Sequence, residues 1–206
     1  IEHALSVAGD PADLIIMRQG SSDEMSSSIA PTPARELAAL HGLATGAEGQ
    51  PLASPEFVTI MIKPRRNSGG TANVIVRGLE PVGRQLRPDF KIIEGRDLKP
   101  GLNELITSRS IAKRFENLGL GEQLEINNVK FQVVGLFEAG GSSAESEVWA
   151  DLRDLTAAQR YDGAISVVNM RVRDEAAKEE IIRRVRDDEQ FKLKAVSEID
   201  YFESQK

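Results

Sequence analysis

The chain has 206 residues, a formal net charge of −6, no cysteine, and 40% apolar residues with few aromatics. That length and apolar content can bury one or two cores without disulfides or metals. The missing thiols exclude cysteine catalysis, thiolate zinc sites and disulfides together, and the acidic balance repels phosphate backbones, so no nucleic-acid partner is expected without a strong local basic patch.

No apolar run approaches the ~18 residues of a membrane span, and no signal peptide is visible. Beginning at Ile1 and ending at Gln205-Lys206, the chain reads as a segment of a longer protein whose flanks would hold any targeting or membrane information.

In chain order, the first section reads as β-α-β. Leu14-Ile15-Ile16-Met17 is a short apolar run suited to a central strand. After the polar stretch from Gly20 to Ser28, Thr32 is placed to cap a helix with Pro33 at its first position. Leu37 and His41 fall in its later turns, and Gly42 follows. Residues 57–63 form the next strand, with Val58, Ile60 and Ile62 alternating onto one face.

The last section repeats that order. A strand over 165–172 leads to a helix capped by Asp174, and Ala177, Ile181 and Val185 share one face of it. On the outer face Glu179–Arg183 and Glu180–Arg184 are placed as i,i+4 pairs. A strand over 193–196 closes the section. The strands at 14–17, 58–62, 167–172 and 193–196 are expected to share one split β-α-β, ferredoxin-like sheet.

Between these sections the texture changes. Val74-Ile75-Val76 is a strand ended by Gly78. A hairpin is spelled by Leu124 and Ile126, then Asn127-Asn128, then Val129, Phe131 and Val133, because asparagine tolerates the positive φ of a type I′ turn. One short helix has Ser108 as its cap, Ile111, Phe115 and Leu118 on its stripe, and Gly119 past its end. The fold class is therefore α+β: a porter-like layer of two β-α-β units from the chain ends (residues 1–72 and 150–206) with an inserted β-rich subdomain (73–149). Its crossing points are expected near Asn67-Ser68-Gly69-Gly70 and Gly140-Gly141.

Nothing assembles an active site. Ser110-Ile111-Ala112-Lys113 matches the Ser-x-x-Lys of penicillin-binding enzymes. With Ile111 facing inward, however, Lys113 lies about 200° around the helix, in solvent, where a lysine stays protonated and cannot serve as a base. The companion Ser-Asp-Asn and Lys-Thr-Gly segments are absent. His3 and His41 belong to no metal-binding spacing. Asp187-Asp188-Glu189 lacks the spaced oxygens of a calcium loop, and Gly119-Leu120-Gly121 lacks the lysine of a phosphate cradle. The basic clusters Lys63-Pro64-Arg65-Arg66 and Arg183, Arg184 and Arg186 read as solvated surface. No catalytic, cofactor-binding or metal-ligating residue is assigned, and no cofactor is expected.

The stretch "EGRDLKPGLNELITSRSIAKRF", residues 94–115, reads as scaffold. Strand ends at Ile92-Ile93 and Leu105-Ile106 are separated by turns at Gly95, Pro100 and Gly101, and Glu94, Arg96 and Glu104 are placed for local ion pairs.

Together with "VRGLEP", "LRPDFKIIEGRDLKPGLNELITSRSIAKRF" and "LGLGEQLEINNVKFQVVGLFEAGGSSAESEVWAD", that stretch resembles the extracytoplasmic core domain of MacB/LolC/FtsX-type ABC transporter permeases. "RQGSSDEMSSSI" and "PLASPEF" extend the resemblance toward the front. The resemblance implies a domain between the first and second transmembrane helices, on the periplasmic face of the bacterial inner membrane. It would be non-catalytic and would couple the cytoplasmic ATP cycle to periplasmic export or partner binding. Implied partners are the transmembrane helices of its own permease, a separate ATPase subunit or domain, a second permease copy, and a periplasmic adaptor or substrate protein. The alternatives are a stand-alone periplasmic ligand- or protein-binding module and, with no nucleophile–base pair in its favour, a hydrolase.

Overall fold

The computed structural model describes residues 9–206; His3 lies outside them. In chain order the elements are β1 (Asp13–Arg18), α1 (Pro31–Leu37), β2 (Ala53–Pro64), β3 (Thr71–Leu79), α2 (Val82–Gln85), β4 (Phe90–Gly95), β5 (Glu104–Ser108) and α3 (Arg109–Arg114). They continue with β6 (Gln123–Ile126), β7 (Val129–Ala139), β8 (Glu147–Asp151), α4 (Leu152–Ala158), β9 (Val167–Arg171), α5 (Glu175–Asp187), β10 (Leu193–Ser197) and α6 (Glu198–Ser204). The fold is mixed α+β, dominated by strands, and the chain divides into two compact units: one runs up to Pro55 and resumes at Ile165, and the other is Glu56–Ala164.

The discontinuous unit is built around β1, which pairs antiparallel with both β10 and β9. Strands β9 and β10 therefore run parallel on either side of it, joined by α5, which is the split β-α-β arrangement. A strand in that position is covered on both faces, and residues 13–17 of β1 are all buried, which explains its unbroken apolar run. Ile15 and Met17 pack with Val167, Tyr201, Val196 and Phe202, so α6 closes one face. Helix α5 packs against β10 and buries Ala177, Ile181 and Val185, and Asp174 caps it by accepting from the Ala177 amide at 2.8 Å. Among the described residues, no ion pair closes between Glu179 and Arg183 or between Glu180 and Arg184.

Helix α1 departs from expectation at both ends. Ala30 is at the cap position and Pro31 begins the helix, because the first turn tolerates residues without an N–H. Thr32 is inside it, accepting from Arg35. The helix stops at Leu37, so His41 lies beyond its end. Gly42 has φ +95°, and a Cβ there would stand 2.8 Å from the Ala177 Cβ. This glycine lets the chain pass directly against α5.

The continuous unit is a mixed sheet in the order β2-β3-β8-β5-β7-β4, with β6 also on β7. β2–β3, β8–β5 and β7–β4 are antiparallel, while β3–β8 and β5–β7 are parallel. The long β7 serves β6 with its first half and β4 with its second. The hairpin pairs Ile126 with Val129 and Leu124 with Phe131, and its turn places Asn127 and Asn128 at φ 50° and 69°, as the type I′ reading requires. One sheet face packs Val74, Val76, Leu105, Phe131 and Val133 against Ile111, Phe115 and Leu118. The other packs Leu79, Ile106, Phe137 and Trp149. Ser108 caps α3 as expected, but the left-handed residue after it is Asn117, not Gly119.

Strand 58–62 was expected to share one sheet with β1, β9 and β10; its residues pair with β3 in the continuous unit. Accordingly the units divide at 55/56 and 164/165 and not at 72/73 and 149/150. The reason is packing. The β2 residues from Phe57 onward are hydrogen-bonded to β3, and α4 lies against β3 and β8. Gly69-Gly70 and Gly140-Gly141 both fall inside that unit. The first pair lies in the β2–β3 connection and the second in the turn after β7, so neither is a crossing between units.

Arg96 and Gly135 show how close the backbones run here. Arg96 N–H donates to the Val134 carbonyl at 3.0 Å, and a Cβ on Gly135 would meet the Arg96 carbonyl oxygen at 2.0 Å. Gly135→Ala is therefore expected to cost about 3 kcal/mol or more in denaturant unfolding. Gly121→Ala, strained only by its φ of +81° in open space, should cost about 1–2 kcal/mol.

Candidate functional site

The most heavily built polar site lies on the second face of the continuous unit. Register places Arg77 of β3 opposite Val58 of β2 and beside Trp149 of β8, all on one side of the sheet. Arg77 uses its whole guanidinium. Nε and Nη2 donate to the two Glu147 oxygens at 2.9 and 2.8 Å, and Nη1 donates to Glu56 at 2.9 Å. Arg87, just past α2, donates to both Glu56 oxygens at 2.9 Å and to the Gly83 carbonyl. Trp149 Nε1 completes Glu147 at 2.9 Å. Above this, the Arg87 guanidinium lies 5.3 Å from the Trp149 ring centre, and Trp149 stacks on Phe90 and Phe137.

Two carboxylates and two guanidiniums thus balance in a dry setting, with Glu56 fully buried and the Arg77 side chain 5% exposed. Burial would raise the Glu147 carboxyl, but the Arg77 charge and its paired hydrogen bonds, with Arg87 and Trp149 behind them, hold it below the ordinary carboxylate range. The arrangement offers no free base or nucleophile. Its chemistry is clamping: it ties β2, β3, β8 and the α2 turn at one point.

The expected positions resolve as follows. Lys113 is exposed on α3, and among the described residues Ser110 makes no hydrogen bond to a basic side chain. Arg96 and Glu104 do pair, with Arg96 Nη1 at 2.9 Å from Glu104, and Glu104 also accepts from the Lys99 amide. Lys63 is largely buried, and burial pushes its ammonium down against the opposing pull of Glu116 and Glu122. Arg66 is held by Glu122 and by the Ala112 carbonyl. Lys63 and Arg66 are thus structural, not the solvated surface expected. Among the described residues no cluster of His, Asp or Glu is arranged to hold a metal, and no helix is long and apolar enough to cross a membrane.

The chain matches the family of MacB-like periplasmic core domains over residues 2–188. It belongs to that family. The periplasmic region of MacB from Actinobacillus actinomycetemcomitans is similar in structure, with a TM-score of 0.66 and 12% identity over 98% of this chain and 95% of that one. The extracellular domain of the noncanonic ABC-type transporter YknZ from Gram-positive bacteria gives a TM-score of 0.63 at 14% identity, over 90% of this chain and 100% of that one. A domain of a permease-type protein from Porphyromonas gingivalis gives 0.52 at 14% identity, over 90% and 88%. No curated protein sequence matches the chain.

In this MacB-like domain the front motif "RQGSSDEMSSSI" is a tied-down loop. Ser27 Oγ accepts from the Arg18 amide at 3.0 Å and donates to the Ser166 carbonyl at 2.6 Å. The Glu24 amide donates to the Tyr201 hydroxyl, and Lys194 and Gln205 donate to the Ser21 and Ser22 carbonyls. Nearby, Arg171 grips Asp13 across the β1–β9 pair at 2.8 and 3.1 Å. In the same unit Leu37, Leu40, Val185, Phe191 and Leu193 line a cavity of about 380 Å³ with Glu36, His41, Arg184 and Asp188 also on its wall.

Inspection of residue types missed the charge network, although it left a trace: a lone Arg77 inside Val74-Ile75-Val76-Arg77-Gly78-Leu79 and a Glu147 directly before Val148-Trp149. A charge within an apolar strand run is either an error of strand assignment or a buried pair.

Arg77→Met should cost about 3–5 kcal/mol, because it leaves Glu147 buried without its counter-charge. The Glu147 carboxyl is lowered in the fold, so its stabilisation is complete above the unfolded pKa near 4.5 and is lost as pH falls through the folded value. Asp13 has the opposite sign: burial raises its carboxyl despite Arg171, so its contribution improves as pH falls. Denaturant unfolding of wild type and Glu147→Gln from pH 7 downward should show the stability gap between them narrowing below about 4.5.

Proposed function

We propose that this domain transmits the cytoplasmic ATP cycle of its permease to the periplasmic side, driving export or the binding of a periplasmic adaptor or substrate protein, and that it does no chemistry itself. The unit formed from both ends of the chain is the porter-like layer, and residues 56–164 are the inserted subdomain. Its partners are the transmembrane helices of the same permease, the ATPase subunit or domain, and a second permease copy.

The observation that carries this reading is the pairing of β1 with β10, Leu14 against Ser197 through Arg18 against Leu193. Segments at opposite ends of the chain are hydrogen-bonded neighbours in one sheet, so a displacement delivered by membrane helices on either side acts on the same rigid layer. The inserted unit is joined to that layer by the two covalent passages at 55/56 and 164/165. The buried charge network supports the same reading, since a transmitting body has to resist internal shear.

Hydrogen exchange on the full-length permease in nanodiscs, with and without trapped ATP, tests this. Amides near 53–57 and 162–166 should change protection between nucleotide states, while those of β3, β5 and β8 stay constant. Identical exchange in every state at those passages would sink the coupling. The non-catalytic part is tested separately: the 206-residue chain should hydrolyse neither ATP nor peptide, and Ser110 should not be acylated by a fluorescent penicillin.

A further inference from the structure

Two sequence features that the proposed function leaves aside, the basic Lys63-Pro64-Arg65-Arg66 cluster and the lysine of Ser-x-x-Lys, converge in the continuous unit. The connection after β2 is held to the end of α3 by backbone bonds: Arg66 N–H to the Arg114 carbonyl at 2.9 Å and Glu116 N–H to the Pro64 carbonyl at 3.0 Å, with Arg65 bridged to Phe115. Between them is a cleft of about 350 Å³ lined by Arg65, Asn67, Ser68, Lys113 and Arg114. Its size suits a small ligand.

The chemistry of the lining is one-sided. All five side chains can donate hydrogen bonds, three carry positive charge, and no carboxylate lines the cleft. Among the described residues none of Arg65, Lys113 and Arg114 has an ion-pair partner, and the nearby Glu122 is taken by Arg66. Lys113 and Arg114 suit the C-terminal end of a helix, but Arg65 arrives from a different element and has no such reason to be there. Three unneutralised cations converging in a chain of net charge −6 make a local field opposite to that of the whole protein. Two guanidiniums match an oxyanion in fork geometry, the ammonium adds a point charge, and Ser68 and Asn67 supply neutral donors. A carboxylate, with one charge and two oxygens, leaves part of this set unused, whereas a phosphate group uses it.

We propose that the cleft between the β2–β3 connection and the end of α3 binds a phosphate group, carried either by a lipid headgroup or by a soluble phosphate compound. Binding is electrostatic and weakens with salt.

The test uses the 206-residue chain labelled on arginine side chains and titrated with inorganic pyrophosphate, followed by NMR. Saturable shifts of the Arg65 and Arg114 Nε–H signals are expected. The double substitution Arg65→Glu and Arg114→Glu should weaken binding at least tenfold, while Arg183→Glu on α5 should leave it unchanged. Because the altered side chains are exposed, the variants should keep the wild-type melting temperature and near-ultraviolet circular dichroism, which excludes unfolding as the cause. Sedimentation with phosphatidylglycerol vesicles, against phosphatidylcholine vesicles, separates the sources. Co-sedimentation abolished by the double substitution identifies a headgroup, and pyrophosphate binding without it identifies a soluble ligand. The proposal is overturned if pyrophosphate gives no saturable shift at millimolar concentration, if Arg183→Glu weakens binding equally, or if a short glutamate peptide competes as well as pyrophosphate does.

Discussion

A buried arginine, Arg77, is the constraint on which the continuous unit depends. It sits in β3, where an uncharged residue would have completed the apolar run, and its guanidinium is satisfied by carboxylates from two other strands. A single buried charge would be prohibitive, and a single pair barely neutral after desolvation. The balance works because Glu56 and Glu147 are each completed by a second donor, Arg87 and Trp149 respectively. Geometry follows from that balance. The β2, β3 and β8 registers and the α2 turn must all be correct for the four groups to meet, so the network selects one arrangement of a face that apolar packing alone would specify loosely.

The discontinuous unit uses the opposite means. Its central strand, β1, is buried on both sides and held between two antiparallel neighbours, and its polar groups work at the edges, where Arg171 meets Asp13 and Ser27 bridges Arg18 to Ser166. Gly42 allows the chain to run against Ala177 with no side chain between them. Apolar coverage organises this unit, and charge finishes it.

What could be read from the sequence follows from how local each cause is. The Asn127-Asn128 turn, the Ser108 and Asp174 caps and the α5 stripe are written in a few adjacent residues, and each is as the pattern implies. The partner of strand 58–62, β3, was not legible because alternation specifies a face, not a partner; Ile60 and Ile62 on that face are 40% and 70% exposed. The Arg66–Glu122 and Arg77–Glu147 partnerships join residues far apart in the chain, which no spacing rule reaches. The pairing of Arg96 with Glu104, eight residues apart, was legible because both ends lie in one turn-rich stretch.

The β1–β10 pairing also sets an order of events in time. Strand β1 precedes β10, one of its two neighbours, by about 180 residues, so the sheet of the discontinuous unit cannot close until residue 197 is available. The unit of residues 56–164 is one uninterrupted stretch, and its partners are all present earlier. During synthesis the inserted unit is thus free to fold while the apolar β1 waits for both of its neighbours, β9 and β10, and the slow, long-range closure follows.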